Sequence, residues 1–326
     1  MLQSAQFSRD NRLGLARCIS EVENGTSAGR KALDESFVHA GKAFLIGVTG
    51  APGTGKSSLV NQLAQYLRKE KQLTVAIVAV DPSSPFTGGA ILGDRVRMRD
   101  LAGDDGVFIR SMASRGALGG LAIASAGVVQ LLDAAGFNVI LIETVGAGQS
   151  EVEIARLAHT TLVVEAPGFG DDIQAIKAGI LEIADILVLN KADLPGVEST
   201  ERALKANLDL GYPMGINGKA GHQQPIGGET SDPQKWQPPV IKTVAIRSTG
   251  IEELVKAIFT HRDYMKNSGV LEIRNRERLR IEFEQLLKFR LLNDWQQKHS
   301  PVQINRVLHK VYDRTCSPEQ AVEQLL

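Results

Sequence analysis

The chain has 326 residues, 43% of them hydrophobic and 23% charged, which is ordinary for a globular protein able to bury a sizeable core. Its 37 basic and 37 acidic side chains cancel, so no global positive field exists to attract nucleic acid and any anion site must be local. Two distant cysteines, Cys18 and Cys316, exclude a disulfide framework or a CxxC metal site and fit a reducing compartment.

The polar residues 1–12 lack the apolar core of a secretion signal. The longest apolar runs, such as 75–80, fall far short of the roughly 18 residues of a membrane span. A soluble, cytoplasmic protein without membrane partners is expected. Residues 12–40 alternate apolar and polar at helical spacing and predict a helical N-terminal element over 1–42. Residues 43–49 read as a buried strand running into a Gly-Ala-Pro-Gly turn. A helix follows over 56–70, with Leu59, Leu63 and Leu67 on one face.

Short β-branched runs then recur at 74–80, 107–110, 139–143, 161–165, 186–190 and 240–245, with helical patterns between most of them. That alternation predicts an α/β fold with a doubly wound, mostly parallel sheet. Ligands on such sheets sit at the carboxyl ends of the strands. Residues 211–239 hold six Gly and five Pro in 29 positions and read as a long loop inserted before the last strand. From Gly250 onward the pattern is helical. Leu279, Phe283, Leu287, Leu291 and Trp295 recur every fourth residue, and Leu286, Phe289 and Leu292 widen the stripe. Such a face either packs on the parent domain or forms a dimerisation arm. The expected division is 1–42, a nucleotide-binding domain over 43–262, and a helical arm over 263–326.

Gly50-Ala51-Pro52-Gly53-Thr54-Gly55-Lys56-Ser57 matches GxxxxGK[ST] between a predicted strand and helix, the context of a P-loop. Glycines let successive N–H groups turn toward phosphate oxygens, and the helix N-terminus adds positive charge. Lys56 would place its ammonium on the β- and γ-phosphates, and Ser57 would offer a hydroxyl to Mg²⁺. Asn190-Lys191-Ala192-Asp193 follows an apolar run and matches the guanine-reading NKxD signature. A carboxylate at Asp193 accepts from guanine N1–H and the 2-amino group, whereas adenine would leave it unpaired. Asn190 would hold the loop and contact N7, and Lys191 would lay its stem along the base. Glu143-Thr144-Val145-Gly146 ends another strand at the place of the DxxG motif. Glu143 would reach Mg²⁺ through a coordinated water, and the Gly146 N–H would sense the γ-phosphate.

Asp81 ends the strand after the P-loop helix, and Asp94 follows in a Gly-rich loop; both are candidate Mg²⁺ or water-positioning groups. For Arg95, Arg97, Arg99, Arg110 and Arg115, function and plain solvation both stay open. Thr243-Val244-Ala245 is expected to end the last strand, with the Ala245 N–H on guanine O6. Ala147 follows Gly146 where many signalling GTPases carry a water-orienting Gln, so slow intrinsic hydrolysis is expected. The six histidines make no HxH or HxxxH pair and suggest no zinc site.

The segments AVDPSSPFTGGAILGDRVRM (79–98), ETVGAGQSE (143–151), APGFGDDIQAIKAGI (166–180) and LVLNKADLPG (187–196), with LARCISEVENG (15–25), resemble the MeaB/ArgK-type GTPases. These are bacterial relatives of the human methylmalonic aciduria type A protein. The resemblance implies a P-loop NTPase fold and a homodimer with a C-terminal helical arm. It implies a GTP-dependent chaperone of a coenzyme B12-dependent acyl-CoA mutase, typically methylmalonyl-CoA mutase, that gates adenosylcobalamin delivery. No B12 would bind this chain itself. Carried onto this sequence, Asp81, Asp94 and Glu143 join Ser57 around Mg²⁺. Lys56, Asp94, Glu143 and Gly146 serve hydrolysis, and Ser58 completes the phosphate loop. Gln174 and Lys177 fall in an extra switch loop. Thr54 and Ser58 depart from the small apolar residue and Thr of the family pattern. A nickel-delivering GTPase would want a His-rich tract or paired cysteines, and a kinase would want ATP; neither demand is met here.

Overall fold

The computed structural model describes residues 7–82, 98–101, 103–114, 120–144, 149–168, 181–211 and 236–326. Met1–Arg278 and Leu279–Leu326 form two compact units.

The first unit is built on seven parallel strands: β1 (Phe44–Thr49), β2 (Val75–Pro82), β3 (Val107–Ser114), β4 (Val139–Thr144), β5 (Thr160–Glu165), β6 (Ile186–Leu189) and β7 (Val240–Lys242). Their order is β3-β2-β4-β1-β5-β6-β7. Every strand of six residues or more among β1, β4 and β5 is almost wholly buried, as a sheet covered on both faces requires. Alternate residues go to opposite layers. Ile46, Ile77 and Leu141 pack with Leu59, Leu63 and Leu67 of α3 (Lys56–Lys69) and with Leu254 and Ile258 of α7 (Ile251–Asn267). Leu45, Val78 and Ile140 pack instead with Leu15 and Ile19 of α1 (Arg12–Glu23) and with Leu131 and Leu132 of α4 (Gly120–Ala134). The remaining helices of this unit are α2 (Ser27–Phe37), α5 (Gln149–Leu157) and α6 (Val197–Gly211). Leu204 of α6 joins Leu187 and Leu189 in a third cluster.

The N-terminal element consists of two helices. Gly25 takes φ +64°, which breaks the run, and Thr26 then caps α2 by accepting from the Gly29 N–H. Arg110 lies within β3, as the apolar run 107–110 leads one to expect. Its guanidinium donates to Glu23 at 2.8 Å and to Ser20 at 3.1 Å, clamping α1 to the outermost strand. The last strand stops at Lys242, and Ala245–Arg247 is a 3-10 turn, so 243–245 do not extend it.

The N-terminal edge of the sheet is closed by polar groups. Asp133 of α4 accepts the Gly41, Lys42 and Ala43 N–H groups at 2.7–3.0 Å ahead of β1. Asp185, just before β6, accepts two bonds from Arg274, at 2.9 and 3.1 Å, and one from the Thr161 N–H at 2.8 Å. Arg274 and Asn275 lie in the first turns of α8 (Val270–Lys298). His159 accepts from the Leu45 N–H on Nδ1 at 3.1 Å, which makes Nε2 the protonated nitrogen donating to Asn275 Oδ1 at 2.9 Å. Burial, and then the charges of Arg278 and Arg274, push the His159 imidazole down to about 4, against the pull of the Asn275 bond.

The second unit holds the rest of α8, α9 (Pro301–Tyr312) and α10 (Pro318–Glu323). Ser300 with Gln303 and Ser317 with Gln320 form capping boxes, each followed by a Pro at the first helical position. Trp295 donates to the Leu325 carbonyl at 2.6 Å. No residue of α8 is buried; Phe283 is 65% and Leu291 60% exposed. Among the described residues no helix is long and apolar enough to cross a membrane.

Candidate functional site

The site lies at the carboxyl ends of β1, β4 and β6. The chain leaves β1 through residues 50–55 and enters α3 at Lys56. Gly50 holds φ +138° and Gly55 φ +91°, both open to glycine at no steric cost. A Cβ on Gly50 would strike the Val164 carbonyl of β5, and one on Gly55 would strike the Asn190 amide. No side chain caps α3, so its first N–H groups open into the loop and make an anion cradle. Thr54 is fully buried and its hydroxyl donates to the Ala51 carbonyl at 2.9 Å, bracing the loop from within. Pro52 and Gly53 form the exposed tip.

Lys56 is buried and turns back over this loop. Its ammonium donates to the Gly50 and Ala51 carbonyls at 2.8 and 2.9 Å, the position from which it can reach an anion in the cradle. Ser57, next on α3, donates its hydroxyl to Glu143 Oε1 at 2.6 Å. Glu143 is buried on β4, in register with Val48 of β1 and Ala79 of β2, so the sheet delivers its carboxylate to the first turn of α3. Beside it the Thr144 hydroxyl donates to Thr49 at 3.0 Å, tying β4 to β1 just before the loop. Ser58 is half-buried on the same turn of α3.

Asn190 joins three segments. Its amide N–H donates to the Thr54 carbonyl of the loop at 2.8 Å. Its Oδ1 accepts from the Thr243 hydroxyl at 3.0 Å and from the Ala245 N–H at 3.1 Å. Lys191 sits at φ +56°, a left-handed turn that re-aims the chain after β6. The Ala192 N–H donates to the Thr243 carbonyl at 3.0 Å, and the Leu194 N–H to the Lys191 carbonyl at 3.0 Å. Asp193 is thereby held at the rim, facing Arg247 across 3.6 Å. A cradle of N–H groups, a cation, a hydroxyl–carboxylate pair and a separate rim carboxylate suit a phosphorylated ligand whose other end carries hydrogen-bond donors.

The model for the methylmalonyl-CoA mutase-associated GTPase MeaB matches residues 15–300. The chain belongs to the MeaB family of GTPases. A putative GTPase of Pyrococcus abyssi is 40% identical over 321 residues, covering 98% of this chain and 94% of that one. The GTPase ArgK of Escherichia coli is 34% identical over 330 residues, covering 98% and 93%. Among solved structures, the crystal structure of a LAO/AO transport system kinase aligns with a TM-score of 0.69 at 26% identity, covering 99% of this chain and 94% of the other.

Within this family frame, the fold brings Gly50, Ala51, Pro52, Gly53, Thr54, Gly55, Lys56, Ser57, Ser58, Glu143, Asn190, Lys191, Asp193 and Ala245 to one end of the sheet. Asp81 is the penultimate residue of β2, at the same edge, in register with Ala113 of β3. Asp94, Gly146, Gln174, Lys177 and residues 212–235 lie outside the described residues. The Ala245 N–H, expected on guanine O6, is directed at Asn190 Oδ1. Sequence reasoning missed Thr243 as a partner of Asn190. A short hydroxyl side chain just after the last apolar run was the available signal. It also missed Gln62 of α3, which accepts from the Ser248 hydroxyl at 2.7 Å and ties the turn after Ala245 to the loop helix. No local pattern marks that pair, since its members lie 186 positions apart.

Proposed function

We propose that this protein hydrolyses GTP as a cytoplasmic chaperone of a coenzyme B12-dependent acyl-CoA mutase, methylmalonyl-CoA mutase being the first candidate. The observation that carries the nucleotide reading is Asn190: one amide joins the phosphate loop at Thr54 to the turn at Thr243 and Ala245, and so sets Asp193 at a fixed place beside the cradle. The family's name, which associates it with methylmalonyl-CoA mutase, supports the partner.

In this reading the N–H groups at the start of α3 hold the β-phosphate, and Lys56 exchanges the Gly50 and Ala51 carbonyls for β- and γ-oxygens. Asp193 accepts from guanine N1–H and the 2-amino group, with the Lys191 stem along the base. Ser57 and Glu143 present hard oxygen donors in mutual contact, a set that fits Mg²⁺, with Asp81 and Asp94 completing it. The ion when bound neutralises charge on the phosphate oxygens. Gly146 senses the γ-phosphate, and Gln174 and Lys177 pass nucleotide state to the mutase. The apolar stripe of α8 is an extensive exposed surface of the kind that marks an interface, and it supports a homodimer through the arm.

Single-turnover hydrolysis of GTP and ATP, alone and with the mutase, tests the reading. Slow GTP turnover that the mutase accelerates is expected; preference for ATP, or fast turnover unaffected by the mutase, overturns it. Light scattering tests the arm: wild type is expected as a dimer and Leu287→Asp with Leu291→Asp as a monomer, whereas a monomeric wild type at micromolar concentration rejects it.

A further inference from the structure

The base-reading carboxylate already has a neighbour. Arg247 Nη2 stands 3.6 Å from Asp193 Oδ2, an ion pair longer than a hydrogen bond. The two residues are rooted in segments bolted together. Ala192 donates to the Thr243 carbonyl, and the Arg247 N–H closes the 3-10 turn on the Val244 carbonyl at 2.9 Å. Ser248 follows in the left-handed region at φ +57° and is held by Gln62. The backbone of Arg247 is therefore fixed, while its side chain is 67% exposed and can swing. The Asp193 side chain is 27% exposed, so its carboxylate faces few alternatives to whatever occupies the rim.

Guanine needs both oxygens of that carboxylate, one for N1–H and one for the 2-amino group. Arg247 approaches one of the same oxygens. Two charge-assisted hydrogen bonds from the base outweigh an exposed ion pair, so the base wins and the guanidinium has to leave. We propose that Arg247 competes with the guanine base for Asp193, and so sets nucleotide affinity and release rate rather than base identity. The proposal rests on Asp193 reading the base. Arg247 lowers affinity for GDP and GTP alike, because the contact it gives up lies at the base end and not at the γ-phosphate. Its effect fades with salt, because the pair is exposed.

The test is titration and chase of fluorescent GDP on the full-length protein. Arg247→Ala is expected to bind GDP about two- to fivefold tighter with correspondingly slower release, the range an exposed pair can supply. The gain should shrink in about 0.5 M salt. Arg247→Lys keeps the charge and is expected to stay near wild type. In an Asp193→Asn background, with xanthosine diphosphate as ligand, adding Arg247→Ala is expected to change nothing, since the neutral amide offers no ion pair. Unchanged or weaker GDP binding by Arg247→Ala overturns the proposal; weaker binding would show the guanidinium assisting the base instead. If Asp193→Asn still prefers GDP over xanthosine diphosphate by the wild-type margin, the base-reading assignment falls and this proposal with it. A switch to xanthine with no Arg247 effect removes the proposal alone.

Discussion

Asp185 and Lys56 are both buried charged residues, placed at opposite ends of the same parallel strands, and they keep different company. At the N-terminal ends, Asp185 takes its hydrogen bonds from Arg274 and the Thr161 N–H, and the His261 ring stands 3.5 Å away. These partners come from β5, α7 and α8, so the network closes distant pieces of chain on one another. At the C-terminal ends, Lys56 gives its protons to carbonyls of the very loop it serves, and Ser57 gives its proton to Glu143. Those contacts are ones an incoming phosphate or cation can replace without loosening the fold. Under the proposed function, buried charge at one end holds the fold together and at the other stands ready for exchange with ligand.

The largest effect that can break this comparison is on stability. Asp185→Ala removes the counter-charge of Arg274 and the acceptor of the Thr161 N–H, and is expected to cost about 3–5 kcal/mol in urea unfolding. Nucleotide affinity of the protein that stays folded should be unchanged. Lys56→Ala reverses the pattern: GTP hydrolysis is expected to fall about a hundredfold or more, with stability within about 1 kcal/mol of wild type. If single-turnover rates and unfolding midpoints show Lys56→Ala chiefly destabilised, the division between the two ends fails.

Asp193→Asn sharpens the functional end. Xanthine carries a carbonyl where guanine has its 2-amino group, and an amide supplies the donor that carbonyl needs. The relative affinity for xanthosine over guanosine triphosphate is expected to swing by about a hundredfold, from charge-assisted bonds of about 1.5–3 kcal/mol each. Fluorescent-nucleotide titration of both proteins reads it. A smaller effect belongs to the structural end. His159 is neutral and depressed to about 4, below its ordinary 6.5, so between those values the unfolded chain binds a proton that the folded one refuses. Stability then falls as pH falls through that window, by about 2 kcal/mol at pH 5 relative to pH 7 from this group. His159→Gln is expected to flatten that slope, measured as urea unfolding at the two pH values. An equal slope in the variant would place the acid sensitivity elsewhere.

The phosphate loop was legible because its chemistry is local: the glycines, Lys56 and Ser57 are consecutive and act through backbone shape. The strands were legible for a related reason. A sheet covered on both faces demands short apolar runs, and the seven strands fall where those runs are, within a few residues at their ends. A boundary failed where turn geometry decided it: the chain turns at Ala245 instead of extending β7. The expected arm boundary at 263 falls inside α7, while the two compact units divide at Arg278 within α8, since a continuous helix carries no sequence mark where its contacts change.

By itself, then, the sequence determined the chemistry available: a phosphate-loop motif, a lysine, a hydroxyl, strand-end carboxylates and the Asp of an NKxD motif, in an order that a parallel sheet brings to one edge. The tertiary structure decided which of these meet. That Glu143 touches Ser57, that Asn190 braces the loop through Thr54, and that Arg247 faces Asp193 depend on strand register and turn geometry. Hydrophobic periodicity constrains which face of a strand is buried, but segments far apart in the chain, such as Thr54 and Asn190 at 136 positions, are set side by side only when the whole sheet assembles.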